Sequence, residues 1–125
     1  MNQPKDWFEQ ADYDFETAMY MAKGERFVYA VFMCHLALEK ALKGVVLRAT
    51  NLQPPKIHSL IQLTKKAQLN PPDDIGQFLV SLDQASIPTR YPEDLPTIKK
   101  IYTRDKTEQI LSKTKEILIW LKKMS

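Results

Sequence analysis

Cysteine occurs once in this 125-residue chain and glycine three times. A lone cysteine excludes an internal disulfide and any multi-cysteine metal site. Cys34 lies in the apolar run 27–38, where a small buried thiol is the expected role. Few glycines beside eight prolines, the latter gathered in loops, suit a helical bundle better than a turn-rich sheet protein. The longest apolar run has about twelve residues and is interrupted by His35, short of the roughly twenty needed to cross a bilayer. The opening Met1-Asn2-Gln3-Pro4-Lys5-Asp6 turns amphipathic at once and does not read as a signal peptide. These absences point to a soluble, cytoplasmic protein. Missing too are a glycine-rich phosphate loop, a G-x-S-x-G elbow and an H-E-x-x-H metal motif, so no cofactor and no metal are expected.

The length suits one domain spanning residues 1–125, large enough to bury roughly two-thirds of its unfolded surface without staples. The net charge of +3 is mild but unevenly spread. Six of the fifteen acids fall within residues 1–25, whereas residues 97–125 carry eight basic and three acidic side chains. The polarity fits neighbouring helices of opposite charge, or a basic face for nucleic acid.

Periodicity supplies the elements. Trp7, Phe8, Ala11, Phe15, Ala18, Met19 and Ala22 form one helical stripe between Lys5 and Lys23, and Gly24 stands where a left-handed cap would end the helix. Residues 26–50 form a second helix with Phe27, Val31, Cys34, Leu38, Leu42 and Val45 as its core stripe. Tyr29, Phe32, Met33, Leu36, Val46 and Leu47 spread apolar surface over its other faces. Such a helix must be buried on several sides, which suggests a central helix that also serves a homodimer interface. A shorter helix over Ile57–Leu69 and a fourth from Pro72 to about Ala85 follow. Three prolines exclude helix from residues 87–97, leaving one long loop of the kind that often carries function. The last helix starts near Thr103 or Asp105, and Asp105-x-x-Glu108 resembles a capping box. The expected fold is all-α: an up-and-down antiparallel bundle of four long helices plus a short one.

Few side chains suggest chemistry. His35 and Glu39 share a helix face, but two ligands without a third rarely hold a metal, and a His–Glu contact explains them. Glu39 and Lys43 are spaced for an ion pair. Lys40, flanked by Tyr29, Leu36 and Leu47, reads as a lysine whose stem covers apolar surface. His58 is either a local cap for the third helix or a general base facing the loop that carries Arg90. Arg90 and Tyr91 combine a forked phosphate donor with a ring that can stack on a base. Alternatively, Tyr91 packs on the bundle and Arg90 pairs with Glu93 or Asp94.

The stretch Phe32-Met-Cys-His-Leu-Ala-Leu-Glu39-Lys40-Ala-Leu-Lys43 resembles the signature of the HEPN domain family. Four flanking pieces resemble it in the same order: 11–18, Lys56-Ile-His58-Ser-Leu60, Thr89-Arg90-Tyr91-Pro92 and Tyr102-Thr103. The resemblance implies a helical bundle, usually homodimeric, similar to the substrate-binding domain of kanamycin-type nucleotidyltransferases. It also implies association with a separate minimal nucleotidyltransferase, commonly as toxin and antitoxin. Many family members are metal-independent ribonucleases carrying Arg, four to six residues, then His. This sequence departs from that motif: eight residues separate Arg26 from His35, nine separate Arg48 from His58, and no histidine follows Arg90. The expectation is therefore a binding module, with nucleotide met by His35, Lys40, Lys43, His58, Arg90 and Tyr91. The alternative is a ribonuclease toxin in which Arg90 clamps phosphate and His58 or His35 moves the proton.

Overall fold

A computed structural model describes residues 3–124, which form six helices: α1 Pro4–Lys23, α2 Phe27–Thr50, α3 Leu60–Lys66, α4 Asp73–Arg90, α5 Leu95–Ile101 and α6 Arg104–Lys123. Described residues include no strand. Cross-helix pairs fix the directions. Asp12 meets Lys122 and Glu25 meets Arg104, so α1 and α6 run antiparallel. Asp14 on α1 meets Lys40 on α2, while the start of α1 crosses α2 at Gly44, so these two are antiparallel as well. His35 meets Asp83 and Phe32 meets Arg90, which opposes α2 to α4.

α2 is the axis of the bundle. Fifteen of its residues are buried, from Val28 to Leu47, with α1, α3, α4 and α6 packed around them. Of the residues that spread apolar surface over its other faces, Val46 and Leu47 are buried by these neighbours, whereas Phe32, Met33 and Leu36 are only partly covered and Tyr29 is exposed. The core adds Ala11, Phe15 and Ala18 of α1, Leu60 and Leu63 of α3, Leu79 and Leu82 of α4, and Ile117, Leu118 and Leu121 of α6. Met19, expected in the α1 stripe, is exposed. Burial pushes the Cys34 thiol up to about 12, outweighing the lowering effect of the Thr114 hydroxyl, so it is an inert core thiol. The acidic first helix and basic last helix meet through Lys122–Asp12 at 2.7 Å and Arg104–Glu25 at 3.1 Å.

Several boundaries depart from expectation. There are two short helices, because the 87–97 stretch is mostly helical. Pro88 lies in the last turn of α4, where its missing N–H removes only one bond. Hydroxyls of Ser86 and Thr89 donate to the Asp83 and Ala85 carbonyls at 2.8 and 2.7 Å, and the Tyr91 N–H closes the turn on Ile87. Pro96 sits in the first turn of α5, where an N–H would be unpaired anyway. Only Pro92 interrupts the chain. The cap of α6 is Thr103, whose hydroxyl accepts from Lys106 N–H. At the end of α1 the left-handed residue is Glu25, with φ 63°, and not Gly24. α3 begins at Leu60, later than Ile57, because the groups that satisfy its first N–H donors are Ser59 and Asp83.

Two glycines give opposite predictions. A Cβ on Gly44 would lie 3.1 Å from Trp7 Cβ and 3.2 Å from the Pro4 carbonyl oxygen, atoms held by a packed helix. A Cβ on Gly76 would meet no atom within 4 Å. Gly44→Ala should lose about 1 kcal/mol through overpacking, despite alanine's better helix propensity. Gly76→Ala should gain about 0.5–1 kcal/mol. Urea denaturation of the two variants checks both signs.

Candidate functional site

The candidate residues are strung along one side of α2. Lys43, Glu39, His35 and Phe32 recur at helical spacing, and each meets a partner from another element. At the α3 end, the Lys43 ammonium donates to Glu39 at 3.1 Å and lies 5.7 Å from the Trp7 ring. His58, in the extended segment before α3, directs Nδ1 at both Glu39 oxygens, at 3.2 and 3.1 Å. Its side chain is 64% exposed whereas that of Glu39 is 5% exposed. A buried carboxylate thus receives a buried lysine and a surface histidine.

One turn back along α2, His35 is 1% exposed. Its Nε2 lies 2.9 Å from Asp83 Oδ1, and its Nδ1 lies 3.9 Å from Glu39. Asp83, on α4, accepts in addition from Ser59 Oγ at 3.1 Å and from the Leu60 and Ile61 N–H groups at 2.8 and 3.1 Å. Burial works against the Asp83 charge, but the His35 hydrogen bond and the two amides outweigh it and hold the pKa below the usual carboxylate range. An ionised carboxylate only accepts, so neutral His35 carries its proton on Nε2 and neutral His58 carries its proton on Nδ1. The Nε2 of His58 is left with no partner among the described residues.

The structure therefore brings His35, Lys43 and His58 together through Glu39. It does not bring the other three expected residues to them. Lys40 directs its ammonium to Asp14 of α1 at 2.9 Å. Arg90 stacks on Phe32, 4.8 Å from the ring centroid, instead of pairing with Glu93 or Asp94. Asp94 caps α5 by accepting from Thr97. Tyr91 is 67% exposed and does not pack on the bundle. Phe32 and Glu39 are seven residues apart on α2, a rise of about 10 Å, so Arg90 and His58 attach at separate points of the helix. His58 also does not cap α3, since Ser59 and Asp83 do so. Asp83, which organises the arrangement, was not among the expected residues; its signal is an acid one helical turn beyond the buried Leu79. Among the described residues, no group of three or more His, Cys, Asp or Glu side chains could hold a metal ion.

The HEPN domain model matches residues 4–124 of this chain. Two solved structures are similar over their full length and that of this chain. One is the crystal structure of TT1696 from Thermus thermophilus, with 31% identity and a TM-score of 0.85. The other is that of ST0689, described as an archaeal HEPN homologue, with 32% identity and a TM-score of 0.78. No curated protein matches.

Removing Asp83 would strand two backbone amides, a hydroxyl and a buried imidazole. Asp83→Asn should cost about 2–3 kcal/mol near neutral pH. A carboxyl whose folded pKa is lowered stabilises the fold above its unfolded value of about 3.9. That contribution is lost as pH falls through the lowered folded value. The stability difference between wild type and variant should therefore shrink on acidification below about pH 4. A gap that stays constant in denaturation curves across that range would contradict the assignment.

Proposed function

The chain belongs to the HEPN domain family, and on that footing we propose that it is a cytoplasmic, single-domain binding module, homodimeric and without catalysis of its own. Its partner is a minimal nucleotidyltransferase, an assignment that rests on the family resemblance. Its small ligand is a nucleotide, met at the end of the bundle that carries Arg90 and Tyr91. The observation that carries the non-catalytic reading is the separation of the candidate groups for phosphate-ester cleavage. His35 is buried between two carboxylates. Arg90 is held on Phe32, about 10 Å along α2 from the residue that holds His58. A phosphate clamp and a proton carrier must reach one scissile group together, and among the described residues neither histidine forms a hydrogen bond with Arg90.

Homodimer formation is supported by the apolar side chains left on the surface. Ile87, Tyr91, Leu95 and Ile101 are exposed, and all lie on α5 or the end of α4 and its following turn. No residue of α5 is buried. Sedimentation equilibrium should therefore report twice the 14.5 kDa chain mass. A monomer at every concentration would remove this part of the reading.

One observation favours the ribonuclease alternative. Glu39 orients His58 through Nδ1 and leaves Nε2 free on an exposed ring, the arrangement a general base requires. A metal-free RNA cleavage assay separates the two readings. The binding-module reading expects no cleavage by folded protein. Cleavage that disappears in both His58→Ala and Arg90→Ala would establish the ribonuclease instead.

A further inference from the structure

A small cleft separates the beginning of α2 from α5, with a volume of about 120 Å³. Its walls combine cationic and aromatic side chains: Arg26, Phe27 and Tyr29 from one side, Lys99 and Tyr102 from the other. Glu25 is the acid among the lining residues, and Arg104 takes it up at 3.1 Å while stacking 5.2 Å from Phe27. Arg26 and Lys99 form no ion pair with any described residue. The cleft is thus left with two unneutralised cations and one half-buried phenol. Burial raises the Tyr102 pKa above its ordinary value, so its hydroxyl remains a neutral donor.

We propose that this cleft binds the phosphate of a nucleoside monophosphate, with Arg26 and Lys99 as its charge partners and Tyr29 as the platform for the base. The proposal rests on the nucleotide-binding reading above and supplies the site for it. A phosphomonoester carries about −1.5 to −2 charges at pH 7, which matches the two free cations. Arg26 offers a forked donor set and Lys99 a compact ammonium. The cleft volume of about 120 Å³ is small. That accommodates a phosphate but not a sugar and base, since whole-ligand pockets measure roughly 300 Å³ or more. The nucleoside must therefore lie outside the cleft. Tyr29 is 45% exposed at the rim, and a tyrosine face of that kind stacks on any base. Phe32, with Arg90 stacked on it, lies one helical turn further along α2. The cleft and the Phe32–Arg90 contact therefore lie toward the same end of α2.

Calorimetric titration of the intact protein with AMP, adenosine and inorganic phosphate tests the assignment. AMP should bind, with adenosine at least about tenfold weaker. Arg26→Ala and Lys99→Ala should each weaken AMP by about tenfold or more, as expected for a charge-assisted hydrogen bond. Both residues are exposed, so the variants should fold, and circular dichroism confirms that they do. Tyr29→Ala should weaken AMP while leaving inorganic phosphate unchanged. Lys115→Ala, on another part of the surface, should leave AMP affinity intact. AMP binding that survives both cation variants and fails in His58→Ala would overturn the cleft but keep the nucleotide-binding reading. Absence of AMP binding to wild type would overturn both. Equal affinity for AMP and inorganic phosphate would overturn the role given to Tyr29.

Discussion

Asp83 is the side chain on which the arrangement of three helices depends. It stands on α4, accepts from His35 of α2, and holds the first turn of α3 through Ser59, Leu60 and Ile61. A partly buried carboxylate is costly unless its oxygens are satisfied, and here four donors satisfy both. The same bonds decide where α3 starts, since a helix begins most readily where its first N–H groups find acceptors. Because α3 starts at Leu60, residue 58 remains outside the helix, and its imidazole reaches across to Glu39. One acid on α4 thus sets the position of a histidine 25 residues earlier in the chain.

Function follows from how this polar seam uses its histidines. His35 is enclosed and belongs to the structure, whereas His58 is exposed and oriented. The cations best placed to meet an anion are elsewhere, at the opposite end of α2 and on α5. The bundle therefore separates its two histidines from the cations proposed to meet an anion. That separation explains why a chain with the HEPN architecture, yet without the usual Arg–His spacing, reads as a binder.

The α2 axis and most of the core were legible in the sequence because apolar periodicity is a direct consequence of helical geometry. Leu38, Leu42, Ile117 and Leu121 are buried where their spacing puts them. The 87–97 stretch was not legible, because the effect of proline depends on its position within a helix. Pro88 in a last turn and Pro96 in a first turn are both compatible with helix, and only the three-dimensional ends reveal which turn each occupies. The Glu39–Lys43 pair was legible as a local spacing. The bonds of Asp83, His58 and Arg90 were not, since each joins residues far apart in sequence. Asp14–Lys40 was hidden for the same reason, and Lys40 was read as surface when its partner lay on α1.

The central claim is that Asp83 and Glu39 hold the two histidines in fixed and opposite orientations. Long-range proton–nitrogen correlation spectra of the imidazole rings read this directly, because the protonated and unprotonated ring nitrogens differ in shift. In their neutral forms, His35 should carry its proton on Nε2 and His58 on Nδ1, and Asp83→Asn should disturb the His35 pattern. The same tautomer on both rings, or averaged nitrogen shifts showing free exchange at His35, would contradict the account.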